Sequence, residues 1–361
     1  MTISIPILVL AAVAMPAEAP RQARIGNRFL ERTFEVRNGV LESTGLLNKL
    51  DQRYYAMDSE EFELHIVWER LQYEHGTENP VRLTAADFEV QDIEHRTPSG
   101  GDQRLTFLLE NRRYGVEVRV VFELAAGVPF LRKHLEIRSP GNSRVFLDKV
   151  AVESFRLQGA APRLGGFGQP VYAGNLFFGV EYPASQNLAE GGGVRCDYYS
   201  GETTGKDWLA SEPAVTGVSP DGAVSRTFLD YVSRIRSGKV RPVTVFNTWY
   251  DMQGDSLTAE NSMERMKTLK ARLLDPFDIR LDSFVLDDGW DEIESVWGIH
   301  PRRFQGGFSG FRRFLESHGT RLGLWFGPVG GYGSTRTARL AAAARLGYEI
   351  SANGQYCCLA G

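Results

Sequence analysis

Ser283-Phe284-Val285-Leu286-Asp287-Asp288-Gly289-Trp290 decides how this chain is read. Four residues have the length and character of a buried strand, and the chain then runs straight into two carboxylates, a glycine and an indole. Strand alternation sends adjacent side chains to opposite faces, but beyond the strand end a turn can aim both carboxylates at one pocket. Charged acceptors beside an indole suit a sugar, whose hydroxyls donate hydrogen bonds while its C–H face stacks on the ring. Two other readings stay open at this point. One Asp caps a following helix while Trp290 packs in the core, or the pair binds magnesium, although no further acidic ligand or phosphate loop accompanies it.

The same grammar recurs on either side. Val243-Thr244-Val245-Phe246 ends in Asn247-Thr248-Trp249, and Arg321-Leu322-Gly323-Leu324 ends in Trp325-Phe326-Gly327-Pro328. Helical stretches separate the runs. Met263, Met266, Leu269 and Leu273 follow Thr258 as N-cap, Phe308, Phe311, Phe314 and Leu315 share a face before Gly319, and Ser334 opens a last helix closed by Gly347. Apolar runs starting at 243, 284 and 322 and alternating with helices predict βα units in a parallel sheet. Catalytic and binding residues of a (β/α)₈ barrel gather at the carboxyl ends of its strands, where these clusters fall. A barrel needs about 250 residues, and only about 120 follow Gly238, so the stretch reads as its first three strands. The glycine-rich 327–333 segment lacks the GK[ST] ending and the G-x-G-x-x-G spacing, so it reads as a tight loop at a ligand rather than a phosphate cradle.

Residues 22–236 read as strands and turns. Val116, Val118, Val120 and Phe122 alternate with Glu117, Arg119, Val121 and Glu123, and Phe62, Leu64, Ile66 and Trp68 alternate with Glu61, Glu63, His65 and Val67. Turn clusters recur at 97–102, 139–142 and 219–222. A large antiparallel β-sandwich over 20–238, followed by the partial (β/α)₈ TIM barrel over 239–361, is the predicted architecture. A length of 361 residues agrees with about two domains.

Lys plus Arg total 41 against 45 Asp plus Glu, a net charge of −4, so no basic excess exists to neutralise a nucleic-acid backbone. The apolar Ile3–Met15 stretch ending in Ala17-Glu18-Ala19 reads as a signal peptide over 1–19, implying an extracytoplasmic protein, and is too short to span a membrane. Cys196, Cys357 and Cys358 make no disulfide framework and no zinc spacing, and read as small buried thiols in or near strands. No cofactor or metal is expected.

Taken together, FNTWY (246–250), FVLDDGW (284–290), the segment from Trp297 to Phe308 and GLWFGP (323–328) resemble clan D glycoside hydrolases, most closely family 36, the α-galactosidase and raffinose-synthase-like group. NLFFGVEYP (175–183) fits the N-terminal β-supersandwich of such enzymes. The resemblance implies a retaining α-glycosidase acting on terminal galactose-like sugars without a metal. It assigns Asp287 and Asp288 to the sugar's hydroxyls and Trp249, Trp290 and Trp325 to the pocket walls. The family's nucleophile, in a K-x-D motif at the fourth strand, and its later acid/base Asp have no counterpart here. Both are expected beyond Gly361, and the 361-residue chain is expected to be inactive. Gly327 stands where many relatives carry an acidic residue. A galactosyltransferase of raffinose-synthase type, or a carbohydrate-binding protein without turnover, are the alternatives.

Overall fold

The computed structural model describes residues 20–68, 80–141, 144–238, 241–327, 330–350 and 357–358. The leader expected over 1–19 lies outside them, as do Pro328 and Val329 of the glycine-rich loop. The chain divides into two compact units, Met1–Arg236 and Ser237–Gly361.

The first unit is a two-sheet antiparallel sandwich. One sheet runs Arg21–Gly26, Leu30–Arg37, Val40–Asn48, Arg53–Trp68, Val145–Leu157, Gly193–Thr204, Gln186–Glu190 and Gly166–Phe167, with Val81–Thr84 also on Arg53–Trp68. The other is centred on Gln103–Asn111, Val116–Leu124, Phe130–Arg138 and Ala214–Val218. Alternation explains the core-facing residues of both, although Val121, Glu61 and Glu63, expected on the outer faces, are buried as well. Val116, Val118, Val120 and Phe122 are buried, as are Phe62, Leu64 and Ile66, and Phe34 of one sheet meets Phe122 of the other at 4.7 Å between ring centres. Cys196 is buried within the strand Gly193–Thr204. The strand-and-turn reading needs one addition, a helix at Val224–Ile235. Its Val224, Phe228, Tyr231 and Val232 recur at helical spacing and cover Phe130, Phe177 and Val215.

Between the sheets lie four charged side chains without access to water: Arg32, Lys133, Glu61 and Glu153. Arg32 grips Glu153 with two parallel bonds of 2.6 and 3.0 Å, and its Nε donates to Ser43 Oγ at 2.8 Å. Lys133 Nζ reaches Glu61 Oε2 at 3.0 Å and Glu153 Oε2 at 3.2 Å. Ser59 Oγ donates to Glu61 Oε1 at 2.7 Å. Two cations meet two anions, so the cluster is neutral. Burial alone would raise the pKa of Glu61, but Lys133 and Arg32 outweigh it and hold it at about 2. A carboxylate with a depressed folded pKa stabilises the fold above its unfolded value and loses that contribution as pH falls through the folded one. The sandwich is therefore expected to hold above about pH 4.5 and to lose stability steadily toward about 2. Thermal melts across that range, followed by circular dichroism, check this; a flat melting temperature would contradict it.

In the second unit Val245–Asn247, Ser283–Leu286 and Arg321–Leu324 form a parallel three-stranded sheet in sequence order. Helices Ala259–Leu269, Ser309–Glu316 and Gly333–Arg345 alternate with them. Thr258 caps the first by accepting from Asn261 N at 3.2 Å. Phe311 and Leu315 bury the second against Phe284. Glu349–Ile350 pairs antiparallel with Cys357–Cys358, so it adds no fourth parallel strand.

Candidate functional site

The carboxyl ends of the three parallel strands each deliver one polar-aromatic cluster. After the first strand, Asn247 takes its own chain into a short turn, its Oδ1 accepting from Trp249 N at 2.8 Å. After the second, Asp287 N donates to the buried Thr248 Oγ1 at 2.9 Å, locking the two strand ends together. After the third, Trp325 N donates to Leu286 O at 2.9 Å, which continues the sheet by one bond. Trp249, Asp287, Asp288, Trp325 and Tyr332 line one cavity of about 230 Å³.

The two aspartates are not equivalent. Asp287 is 7% exposed and both its oxygens are engaged. Oδ2 accepts from Asn247 Nδ2 at 2.6 Å, and Oδ1 accepts from Asp288 N at 2.8 Å. Asp288 is only partly buried. Its pKa is raised, first by burial and then by the charges of Asp291 and Asp287, with Arg339 opposing. Its ionised form is the one that a hydrogen-bond-donating ligand in the cavity would stabilise.

The turn that presents it depends on Gly289, whose φ of +109° belongs to glycine. A Cβ there would also meet Arg303 Nη1 at 3.2 Å. That guanidinium holds the turn from outside, donating to Gly289 O at 2.7 Å and pairing with Asp255 at 3.0 Å.

Trp290 needs a correction. It is 2% exposed and is not among the residues that line the cavity. Its indole stacks on Trp297 at 6.2 Å and meets Phe326 edge-on at 5.2 Å, while Nε1 donates to Trp325 O at 2.8 Å. A strand end that turns at Gly289 sends the next side chain down into the core, so Trp290 supports the wall from below rather than forming it. Trp249, 42% exposed, and Trp325 stand on the cavity itself.

Three residues to which the sequence reading gave no role of their own complete the site. Tyr332 stacks on Trp325, with ring centres 6.0 Å apart and planes 27° apart. Asn247, inside the quoted FNTWY run, links Asp287 to Trp249. Arg339, buried on the helix Gly333–Arg345, joins the loops of the second and third strands: it pairs with Asp291 at 2.6 Å, donates to Gly330 O at 2.8 Å and lies over Trp297 at 3.8 Å. A charge with i+4 neighbours in an alanine-rich helix carries no sign in the sequence that it points inward. Among the described residues, no group of three or more His, Cys, Asp or Glu side chains is arranged to hold a metal ion. The cavity offers carboxylate acceptors flanked by aromatic faces, a chemistry that fits hydroxyl groups on a ring with an apolar face.

No family model and no curated protein matches the chain. Solved structures do. The α-galactosidase from Lactobacillus brevis aligns with 88% of this chain and 56% of its own, at 13% identity and a TM-score of 0.55. The GH36 α-galactosidase AgaA from Geobacillus stearothermophilus aligns with 86% of this chain and 56% of its own, at 13% identity and a TM-score of 0.54. AgaB from the same organism gives 14% identity, a TM-score of 0.52, and coverage of 88% and 57%. The similarity is one of fold, and this chain spans little more than half the length of those structures. Because the first unit ends at Arg236, matches of this coverage extend into the second. Variants of AgaA have been crystallised with raffinose and with stachyose.

Proposed function

We propose that Ser237–Gly361 contributes the opening strands of a (β/α)₈ barrel and that its cavity holds the terminal α-galactose-like sugar of a substrate for a retaining glycoside hydrolase. One observation carries this reading: the ends of three adjacent parallel strands place Trp249, Asp287, Asp288 and Trp325 around one cavity. Strand carboxyl ends are where such barrels keep their sites. The likeness in fold to family 36 α-galactosidases supports the same reading.

In this reading Asp288 accepts hydrogen bonds from the sugar's hydroxyls, Trp249 and Trp325 receive its C–H faces, and Asp287 holds Asp288 and Asn247 in place. Retention requires two carboxyl groups about 5–5.5 Å apart on either side of the scissile bond. Asp287, with both oxygens bonded within the protein, is not offered for that role. The apolar Ile3–Met15 stretch and Ala17-Glu18-Ala19 support export, which N-terminal sequencing of secreted protein tests.

Calorimetric titration with galactose tests the assignment. Asp288→Asn is expected to weaken binding about tenfold or more, since a hydrogen bond to a charged group contributes about 1.5–3 kcal/mol. Its melting temperature is expected to stay level or rise. An acid with a raised folded pKa costs stability above that pKa, and the cost disappears as pH falls through it; the neutral amide removes it at all pH. Binding by the native protein should weaken in the same acid range. Wild-type-like affinity in Asp288→Asn would remove Asp288 from the site, and no galactose binding by the native chain would remove the sugar.

A further inference from the structure

We propose that the sandwich carries a carbohydrate site of its own, a cavity on the sheet of Arg53–Trp68, Val145–Leu157 and Gly193–Thr204 that binds a neutral oligosaccharide through Asp58, Glu60, Arg156 and Arg195. The cavity lies wholly within the first unit, and the proposal needs no part of the strand-end site.

A backbone irregularity builds one side of it. A regular strand sends residues 60 and 63 to opposite faces. At Glu61 the backbone takes φ +60°, and the pairing of Arg53–Trp68 with Val145–Leu157 shifts register on both sides of Ser154. The slip brings Glu60 and Glu63 to one face. There Ser154 Oγ lies 3.0 Å from a carboxylate oxygen of each, and Arg82 donates to Glu60 at 2.6 Å and to Glu63 at 3.0 Å. Asp58 stands in register with Arg156. The next strand sets Arg195 opposite Ser154 and Gly193 opposite Arg156. Gly191 and Gly193 supply no side chain, so the surface sinks between longer ones. The cavity holds about 520 Å³, inside the about 300–1,000 Å³ of ligand pockets. That is more than twice the strand-end volume of about 230 Å³ and leaves room for more than one sugar ring.

The lining selects the chemistry of the ligand. Glu63 is 5% exposed with both oxygens bonded, so it serves as floor. Asp58 is exposed and makes no hydrogen bond or ion pair among the described residues. Arg195 commits Nε to Asp197, and Arg156 commits one amino group to Gly191 O. The remaining N–H groups of both guanidiniums are left for a ligand. An anion here would meet Asp58 and Glu60, and a cation would meet Arg156 and Arg195, so each is repelled by half of the lining. A hydroxyl group both donates and accepts. A neutral chain of sugar rings therefore satisfies the carboxylates with its protons and the guanidiniums with its oxygens. Each such bond is charge-assisted, the strongest kind open to an uncharged ligand.

The test titrates raffinose, a neutral oligosaccharide, into the 361-residue Asp288→Asn chain by calorimetry. Hydrogen exchange of peptides covering 58–63 and 191–195 supplies a readout confined to the first unit. Raffinose is expected to bind and to slow exchange at both segments. Its affinity should change by less than about twofold as salt rises from about 0.05 to about 0.5 M, since an uncharged ligand offers no charge to screen. Asp58→Ala in the same background should weaken binding about tenfold, the loss of a hydrogen bond to a charged group. Arg156→Ala should do the same. Because the Asp58 side chain is exposed and unpartnered, Asp58→Ala should leave the melting temperature level. Raffinose affinity unchanged in both variants, or no protection of either segment, overturns the proposal while the strand-end reading is judged separately by galactose. Protection by glycine or sulfate but not by raffinose would assign the cavity to a charged ligand and overturn it equally.

Discussion

Glu153→Ala is expected to destabilise the sandwich by about 3–5 kcal/mol, the cost of breaking a buried ion pair from one side. Glu153 takes both arms of the Arg32 guanidinium and a third bond from Lys133. Without it, two cations share Glu61 alone, and Arg32 is left with a carboxylate oxygen 3.5 Å away. Neither cation can turn to water, since both side chains are about 1% exposed. The contacts of both with the Phe122 ring, at 5.0 and 5.3 Å, compensate only in part. Replacing Arg32, Lys133, Glu61 and Glu153 together by apolar residues of similar volume should cost less than Glu153→Ala alone, because no charge is then left unpaired. The buried Cys196 supplies the readout. Burial lifts its thiol pKa well above the ordinary value, so it does not react while the sandwich is closed. Peptide-resolved alkylation of Cys196 against denaturant concentration follows this unit specifically. A midpoint unchanged by Glu153→Ala would show that the four charges are not coupled.

That cluster was not legible in the sequence, and the reason is geometric. Alternation through Phe62, Leu64 and Ile66 assigns Glu61 and Glu63 to the outer face. At Glu61 the backbone takes φ +60°, and the pairing of Arg53–Trp68 with Val145–Leu157 shifts register between Ala151 and Ser154. The irregularity turns Glu61 inward toward Arg32 and Lys133, which already occupy core-facing places between Leu30 and Phe34 and between Leu131 and Leu135. A period-2 pattern carries no mark of the residue at which its phase slips. The sandwich itself was legible because most of its strands keep phase. The parallel strands were legible because each short apolar run stops at a polar-aromatic cluster, and Asp287 with Asp288 stood out as two charges at such a stop. Their division of labour did not, since it depends on Asn247 and Thr248, two neutral residues from a strand end about forty positions earlier. Trp290 and Tyr332 exchanged the places that composition suggests, the tryptophan falling to the core and a tyrosine beyond a glycine run reaching the rim.

Asp287→Asn is expected to damage the site more deeply than Asp288→Asn, although both exchanges remove one charge and keep the shape. Asp287 accepts on both oxygens, from Asn247 Nδ2 and from Asp288 N. An asparagine has one accepting oxygen. If it serves Asp288 N, its amide group faces the Asn247 amide, donor against donor. Rotating the Asn247 amide does not solve the conflict, because its Oδ1 is committed to Trp249 N. One of three bonds must therefore fail: the one that places Asp288, the one that joins the first strand end to the second, or the one that sets Trp249. In a site this buried an unsatisfied donor costs about 1–3 kcal/mol. The expected result for Asp287→Asn is thus a lower melting temperature together with a loss of galactose affinity of about 100-fold, since ligand acceptor and wall are displaced together. Asp288→Asn should lose affinity with its melting temperature level or raised. The double change Asp287→Asn with Asn247→Asp restores a donor–acceptor match across the two strand ends. It should recover most of the lost melting temperature, and affinity to the extent that Trp249 returns to its place. If Asp287→Asn melts like the native chain, the carboxylate is not the joint between the strands. If the double variant recovers nothing, the pairing of residues 247 and 287 is not what holds the cavity open.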